Sequence, residues 1–164
     1  MVRSTFFSFH YAPDCWRASQ IKNSWVTQDR KSAGFFNSVE WEEVKKKQDS
    51  EIEKWIDKQL VGTSVTVVLI GSNTAGRKWI NYEITSSHKK GNGLLGIYIH
   101  NQKNSKGLTS SKGRNPFDDW SITRNGQKIL LSSIYPTYDW VNNDGYKNMG
   151  NWIEEAAKKS RKVI

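Results

Sequence analysis

The chain has 164 residues, 36% of them hydrophobic and 25% charged, with a formal net charge of +9. That length suits one hydrophobic core, and residues 1–164 are read as one domain. A lone cysteine, Cys15, excludes an intramolecular disulfide and fits a reducing compartment as a buried, inert thiol. No apolar run approaches the ~20 residues needed to span a bilayer, and the Phe-rich amino terminus is too brief for a signal peptide. A soluble, cytoplasmic chain with no membrane partner is expected. Its basic residues are dispersed, as in Lys45-Lys46-Lys47, Lys89-Lys90 and Lys158-Lys159, and read as solvated helix faces. The charge alone names no partner. An anionic dinucleotide would satisfy it as well as a nucleic acid, and nucleic acid is the weaker expectation.

In chain order, Arg3 to His10 (RSTFFSFH) reads as a short aromatic strand. Asp14 to Trp25 reads as a helix, with Trp16, Ile21 and Trp25 for one face. Ala33 to Phe36 suggests a short second strand. Glu40 to Leu60 carries a charged helix pattern in which Ile52, Trp55, Ile56 and Leu60 form one stripe. Thr63 to Ile70 (TSVTVVLI) is β-branched and almost wholly apolar. Such a run belongs to an inner strand of a parallel sheet, buried on both faces, and Val65, Val67, Val68 and Leu69 are expected at its centre.

The turn Gly71-Ser72-Asn73-Thr74 leads to a helix from Arg77 to Lys90, and Gly93 to His100 reads as a fourth strand. Asn101 to Gln127 is polar and is expected to form a surface loop or broken helix. Lys128 to Tyr135 is expected to be the fifth strand. A last helix from about Tyr146 presents Met149, Trp152, Ile153, Ala156 and Ala157. This alternation predicts an α/β fold of the flavodoxin-like kind. Its five-stranded, mainly parallel sheet has the order 2-1-3-4-5, with helices on both faces. Ligands of such sheets sit beyond the carboxyl ends of strands one and three, where the order reverses.

That switch point receives Ser8, Phe9, His10 and Tyr11 from the first strand, and Ser72 and Asn73 from the third. The helix after strand three brings Trp79 and Glu83, four residues apart and so on one face. A phospho-receiver needs acidic residues where Ser8 and Ser72 stand, and a phosphate-cradling loop needs glycines that Ser-Phe-His-Tyr-Ala-Pro lacks. His10, His88 and His100 are too dispersed for a metal cluster, and no Gly-x-Ser-x-Gly elbow occurs. A carboxylate, a tryptophan and an aromatic loop are left.

Phe6-Phe7-Ser8-Phe9-His10-Tyr11 resembles the first strand of TIR domains. Ile70-Gly71-Ser72-Asn73-Thr74, followed by Trp79-Ile80-Asn81-Tyr82-Glu83, resembles the exit of their third. The likeness narrows to the TIR-like proteins of the bacterial Thoeris anti-phage system. It is carried by Trp25-Val26-Thr27, Trp41-Glu42, Thr63-Ser64-Val65-Thr66, Lys112-Gly113-Arg114-Asn115-Pro116-Phe117-Asp118, Tyr138-Asp139-Trp140-Val141 and Asp144-Gly145-Tyr146. It spans Phe6 to about Trp152.

The resemblance implies an enzyme that cleaves the nicotinamide–ribose bond of NAD, with Glu83 catalytic. It also implies a cyclic ADP-ribose-type messenger that activates an effector protein, and activity that waits on self-association or a phage-derived trigger. Ser8, Phe9, His10, Tyr11, Ser72 and Trp79 are the expected substrate contacts. NAD is substrate, and neither cofactor nor metal is expected. A carboxylate suits the chemistry because it stabilises an oxocarbenium-like ribose as neutral nicotinamide departs. The alternative is a catalytically silent TIR-like module that acts by binding another protein. Asp139 and Asp144 are read as caps at the approach to the last helix, and Trp140 as core.

Overall fold

The computed structural model describes residues 4–26, 32–33 and 43–163. Four strands form the body of the sheet: β1 (Thr5–Ser8), β2 (Ser32–Ala33), β3 (Val65–Ile70) and β4 (Gly93–Tyr98). With the edge strand Thr137–Asp139 they make one five-stranded sheet, every neighbouring pair parallel, in the spatial order 2-1-3-4-5 of its members. Helices α1 (Tyr11–Val26), α2 (Asp49–Leu60), α3 (Lys78–Lys90) and α4 (Gly145–Val163) surround it.

Alternation along the strands divides the core into two faces. Phe7, Val65, Val67, Leu69, Leu95 and Ile97 pack against Ala18 and Ile21 of α1 and against Met149, Ile153, Ala156 and Ala157 of α4. Val68, Ile70 and Leu94 face Ile80 and Ile84 of α3, and Phe6 faces Ile52, Ile56 and Leu60 of α2. All four residues expected at the centre of β3 are fully buried.

The expected fifth strand, Lys128 to Tyr135, is not in this sheet. Residues Ser121–Arg124 (β5) and Gln127–Leu130 (β6) pair with each other as an antiparallel hairpin. Asn125 and Gly126 turn it with φ of 52° and 77°, the paired positive φ that a two-residue hairpin turn demands. Leu131–Ser133 then forms a 3-10 turn. The edge position goes to β7 (Thr137–Asp139), which pairs with Gly96 to Tyr98.

Other boundaries also move. The helix read from Glu40 is interrupted, because Gln48 takes an extended backbone (ψ 154°) and caps a helix that starts at Asp49. The segment from 101 to 120 is loop, with one 3-10 turn at Pro116–Asp119 capped by the Asn115 side chain. Trp16 is 48% exposed rather than core, and Cys15 is half-buried rather than buried. The expectations on the Trp25 side chain, Phe36, Glu40 and Trp41 fall outside the described residues.

Two features position α3. At its carboxyl end Gly91 (φ 90°) closes the helix, and the Asn92 amide returns to the Ser87 carbonyl, the bonding of a left-handed terminal cap. Just beyond, the Asn92 side chain donates to Thr63 Oγ1 (3.0 Å) and Thr66 Oγ1 (3.2 Å), and Thr66 bonds Ser87 (2.7 Å). Lys90 donates to the carbonyls of Leu60 and Thr63. This buried polar knot clamps the base of α3 to the start of β3.

Candidate active site

Ser8 is the last residue of β1, and alternation places it on the same sheet face as Phe6, toward the helix that carries Glu83. Ser8 is 1% and Glu83 4% exposed. Burial in apolar surroundings lifts the Glu83 carboxyl to about 8, and the Ser8 hydroxyl pulls the other way as a neighbour able to hydrogen-bond the charged form. The two groups face each other without a settled bond. Ser8 Oγ and Glu83 Oε2 are both buried and lack a hydrogen-bond partner. Buried polar atoms are nearly always satisfied, so two orphans together mark a place where a polar ligand would fit.

Two residues further on, His10 leaves its Nδ1 buried and without a partner. Burial first, and Arg77 second, hold its pKa below the usual imidazole value. Its backbone carbonyl accepts from Asp14 N in the first turn of α1 (3.2 Å). Asp14 is itself 2% exposed. Burial raises its carboxyl to about 6, opposed by Arg17 and by a bond from Thr74. Its carboxylate lies against Gly71, where a side chain on the glycine would collide with it. Thr74 Oγ1 in turn receives the Gly71 amide (2.8 Å). Asp14 thus locks the start of α1 to the turn between β3 and α3.

The loop after β4 closes over the same end of the sheet. Arg17 holds it through the carbonyls of Gln102 (2.6 Å) and Leu108 (3.0 Å). The Ser72 hydroxyl donates to the Ser111 carbonyl. Gly113 lies so close to the Gly71 carbonyl that no Cβ would fit. A cavity of about 350 Å3 is left here, lined by Ser72, Asn73, Ala75, Gly76, Arg77 and Arg114. Two larger cavities, of about 480 and 620 Å3, lie away from this end and include neither Ser8 nor Glu83. Ser8 and Glu83 line none of the three cavities; the smaller one is singled out by its place at the turn between β3 and α3, whose residues Ser72 to Arg77 form most of its wall.

Of the residues expected to contact substrate, the structure brings Ser8 to Glu83, sets His10 near Arg77, and puts Ser72 in the wall of the cavity of about 350 Å3. Phe9 instead packs against the α1–α4 face, opposite to Glu83, with the Tyr11 ring 5.8 Å away. Trp79 is half-buried among the α2 side chains, edge-on to Tyr82 at 6.0 Å. Asp14, Arg77 and Arg114 join this end of the sheet with no local signal in the sequence, although Arg114 stands within the Lys112 to Asp118 motif. Among the described residues no group of three or more His, Cys, Asp or Glu is placed to hold a metal ion. No helix among them is long and apolar enough to cross a membrane. Asp139 accepts from the Val141 and Asn142 amides, while Trp140 is half-buried beside the core.

The model of the ThsB TIR-like domain of Thoeris proteins matches residues 6–104. The chain belongs to the Thoeris ThsB family. The match takes in β3, α3 and β4 and most of β1, and so includes Ser8 and Glu83. Among the chain's relatives is a Bacillus cereus (strain MSX-D12) protein named "Putative cyclic ADP-D-ribose synthase ThsB1". It is 35% identical to this ThsB-family chain over 191 aligned positions, covering 93% of this chain and all of the relative.

Proposed function

We propose that this ThsB-family chain cleaves NAD at the nicotinamide–ribose bond and makes a cyclic ADP-ribose-type messenger. That messenger would activate an effector protein in cytoplasmic defence against phage. The observation that carries the reading is the Glu83–Ser8 pair, a carboxyl in an apolar wall with an orphan oxygen at a ligand-binding switch point. The name of the 35% identical relative supports the product class.

The bond between nicotinamide nitrogen and the anomeric carbon breaks, and its electron pair leaves with neutral nicotinamide. The ribosyl carbon left behind is cationic, and an ionised Glu83 stabilises it. Attack by water releases ADP-ribose and a proton. Attack by a nucleophilic atom of the same ADP-ribosyl unit closes a ring and likewise releases a proton. Exclusion of water favours the ring, and the apolar setting of Glu83 serves that end.

With its carboxyl raised to about 8, Glu83 is largely neutral at pH 7 before substrate arrives. The positive nicotinamide ring lowers that value on binding, as any opposite charge does, so the carboxylate forms where and when it is needed. Because the leaving group is already neutral on departure, the step needs neither a strong general acid nor a cofactor.

The test is incubation of concentrated protein with NAD, followed by mass analysis of products, for wild type and Glu83→Gln. The substitution keeps size and removes the charge, and is expected to lower nicotinamide release by about a hundredfold or more. It is also expected to abolish protection of cells against phage. A folded Glu83→Gln chain that still protects cells would instead identify a protein-interaction module.

A further inference from the structure

Arg77 and Arg114 converge on one cavity from distant parts of the chain. Arg77 is the N-cap of α3 and has an extended backbone. Its Nε donates to the Asn73 carbonyl (3.1 Å), and the described ion pairs leave it without a carboxylate. Arg114 is pinned through Nη1 to Asp119 (2.6 Å), and its Nη2 reaches the backbone at Gly76, within 3.5 Å of where a side chain there would begin. The cavity of about 350 Å3 lies between them, and Ser72 and Asn73 add polar side chains to its wall. The first turn of α3 carries no acidic residue and no side-chain cap. Its free amides and the positive end of the helix dipole therefore add to the two guanidinium groups.

Two rails connect this cationic end to the Glu83–Ser8 pair. Along α3, Arg77 precedes Glu83 by six residues, about 9 Å of helix axis at ~1.5 Å per residue. Along the first strand and its exit, Ser8 is followed two residues later by His10, about 7 Å at ~3.3 Å per residue. Ser8 lies within hydrogen-bonding reach of Glu83, and Arg77 is near enough to His10 for its charge to act on the imidazole. Measured along the chain, Arg77 and His10 thus stand about one ribose phosphate away from the Glu83–Ser8 pair. Three buried polar atoms without partners, Ser8 Oγ, His10 Nδ1 and Glu83 Oε2, are distributed along the two rails.

We propose that Arg77 and Arg114, with His10 beside them, clamp the diphosphate of a dinucleotide, placing its ribosyl carbon against Glu83. The proposal rests on the reading that NAD is the substrate, and it makes the two arginines positioning residues. Guanidinium forks suit the task because each presents paired donors to phosphate oxygens.

The direct test titrates ADP-ribose, which keeps the diphosphate and lacks nicotinamide, into the full chain by calorimetry. Wild type is expected to bind it. Arg77→Gln and Arg114→Gln are each expected to weaken binding roughly tenfold or more, the range for bonds to charged groups. Thermal melts check folding. Arg114→Gln also removes the pair with Asp119, whereas Arg77→Gln removes only the bond to Asn73, so the second variant decides if the first is unstable. Wild type that fails to bind ADP-ribose, or variants that bind it as tightly as wild type, would overturn the clamp.

In turnover, the variants are expected to raise KM for NAD while keeping kcat, and to cleave nicotinamide riboside, which has no diphosphate, as wild type does. Equal losses on both substrates would make the arginines merely structural and overturn the proposal. If wild type shows no turnover of NAD, the ADP-ribose titration still decides the clamp by itself.

Discussion

Glu83 sits where stability and activity pull apart. A carboxyl whose pKa is raised from 4.5 to about 8 is bound by its proton more tightly in the folded than in the unfolded chain. The folded state is therefore favoured fully below about pH 4.5, and this contribution is lost as pH rises through about 8. Glu83→Gln removes the dependence. The variant should melt like wild type near pH 4.5 and progressively above it as pH increases, with the difference levelling off beyond pH 8. One pKa unit corresponds to about 1.4 kcal/mol, and 1 kcal/mol moves the Tm of a domain this size by roughly 2–4 °C. A gap on the order of 5 °C or more at pH 8.5 is expected. Asp14, raised to about 6, contributes a similar slope, but equally in both proteins, so the difference isolates Glu83. Melting curves at four or five pH values would check this. A gap that is flat with pH, or that favours wild type at high pH, would show that Glu83 is not the buried acid described here.

Elements were readable from the chain in proportion to how far their own residues, rather than their neighbours, decide them. The run Thr63 to Ile70 is buried on both faces because it is apolar throughout, and so it announces β3. The helices α2 and α4 show their stripes for the same reason. The edge strand β7 has three half-buried residues, one of them Asp139, and nothing local marks it. It forms because Gly96 lets it approach, with the Thr137 methyl 3.0 Å from where a Cβ on that glycine would stand. The hairpin did carry a signal, Asn125-Gly126, which the apolar run after Lys128 obscured.

The site divides in the same way. Ser8 follows from the switch-point rule and Glu83 from the resemblance to TIR domains, whereas Arg114 lines a cavity with Arg77 only because a loop without periodicity packs Gly113 on Gly71. What aims α3 is likewise non-local, the knot of Asn92 with Thr63, Thr66 and Lys90. Asn92→Ala removes two buried hydrogen bonds, while Thr63 and Thr66 keep those to Leu60 and Ser87, and is expected to cost about 1–3 kcal/mol in urea unfolding. Lys89→Ala, at an exposed position in the last turn of α3, should stay within about 0.5 kcal/mol of wild type. Equal stability of the two variants would show that the knot does not hold the helix.

At the scale of the molecule, the site is closed and the surface discourages association. Glu83 is 4% exposed, so substrate reaches it only when the wall around it opens or is rebuilt. The large apolar side chains that are exposed among the described residues, such as Trp16, Val61, Leu108 and Tyr146, come from separate elements. The edge strand β7, at three residues, offers little backbone for pairing. A net charge of +9 adds mutual repulsion between copies. A chain of this kind is expected to rest inactive when dilute and to need a second copy or a trigger to open the site. Specific activity at saturating NAD should therefore rise with protein concentration from the nanomolar to the micromolar range. The rise should begin at lower concentration in about 0.3 M salt than in 0.05 M, because salt screens repulsion between copies. Saturating NAD is essential to the comparison, since salt also weakens any contact between arginines and the diphosphate. Nicotinamide release per molecule, measured across that range at both salt concentrations, tests the expectation. Turnover strictly proportional to protein down to nanomolar levels would show instead that the isolated chain opens its own site.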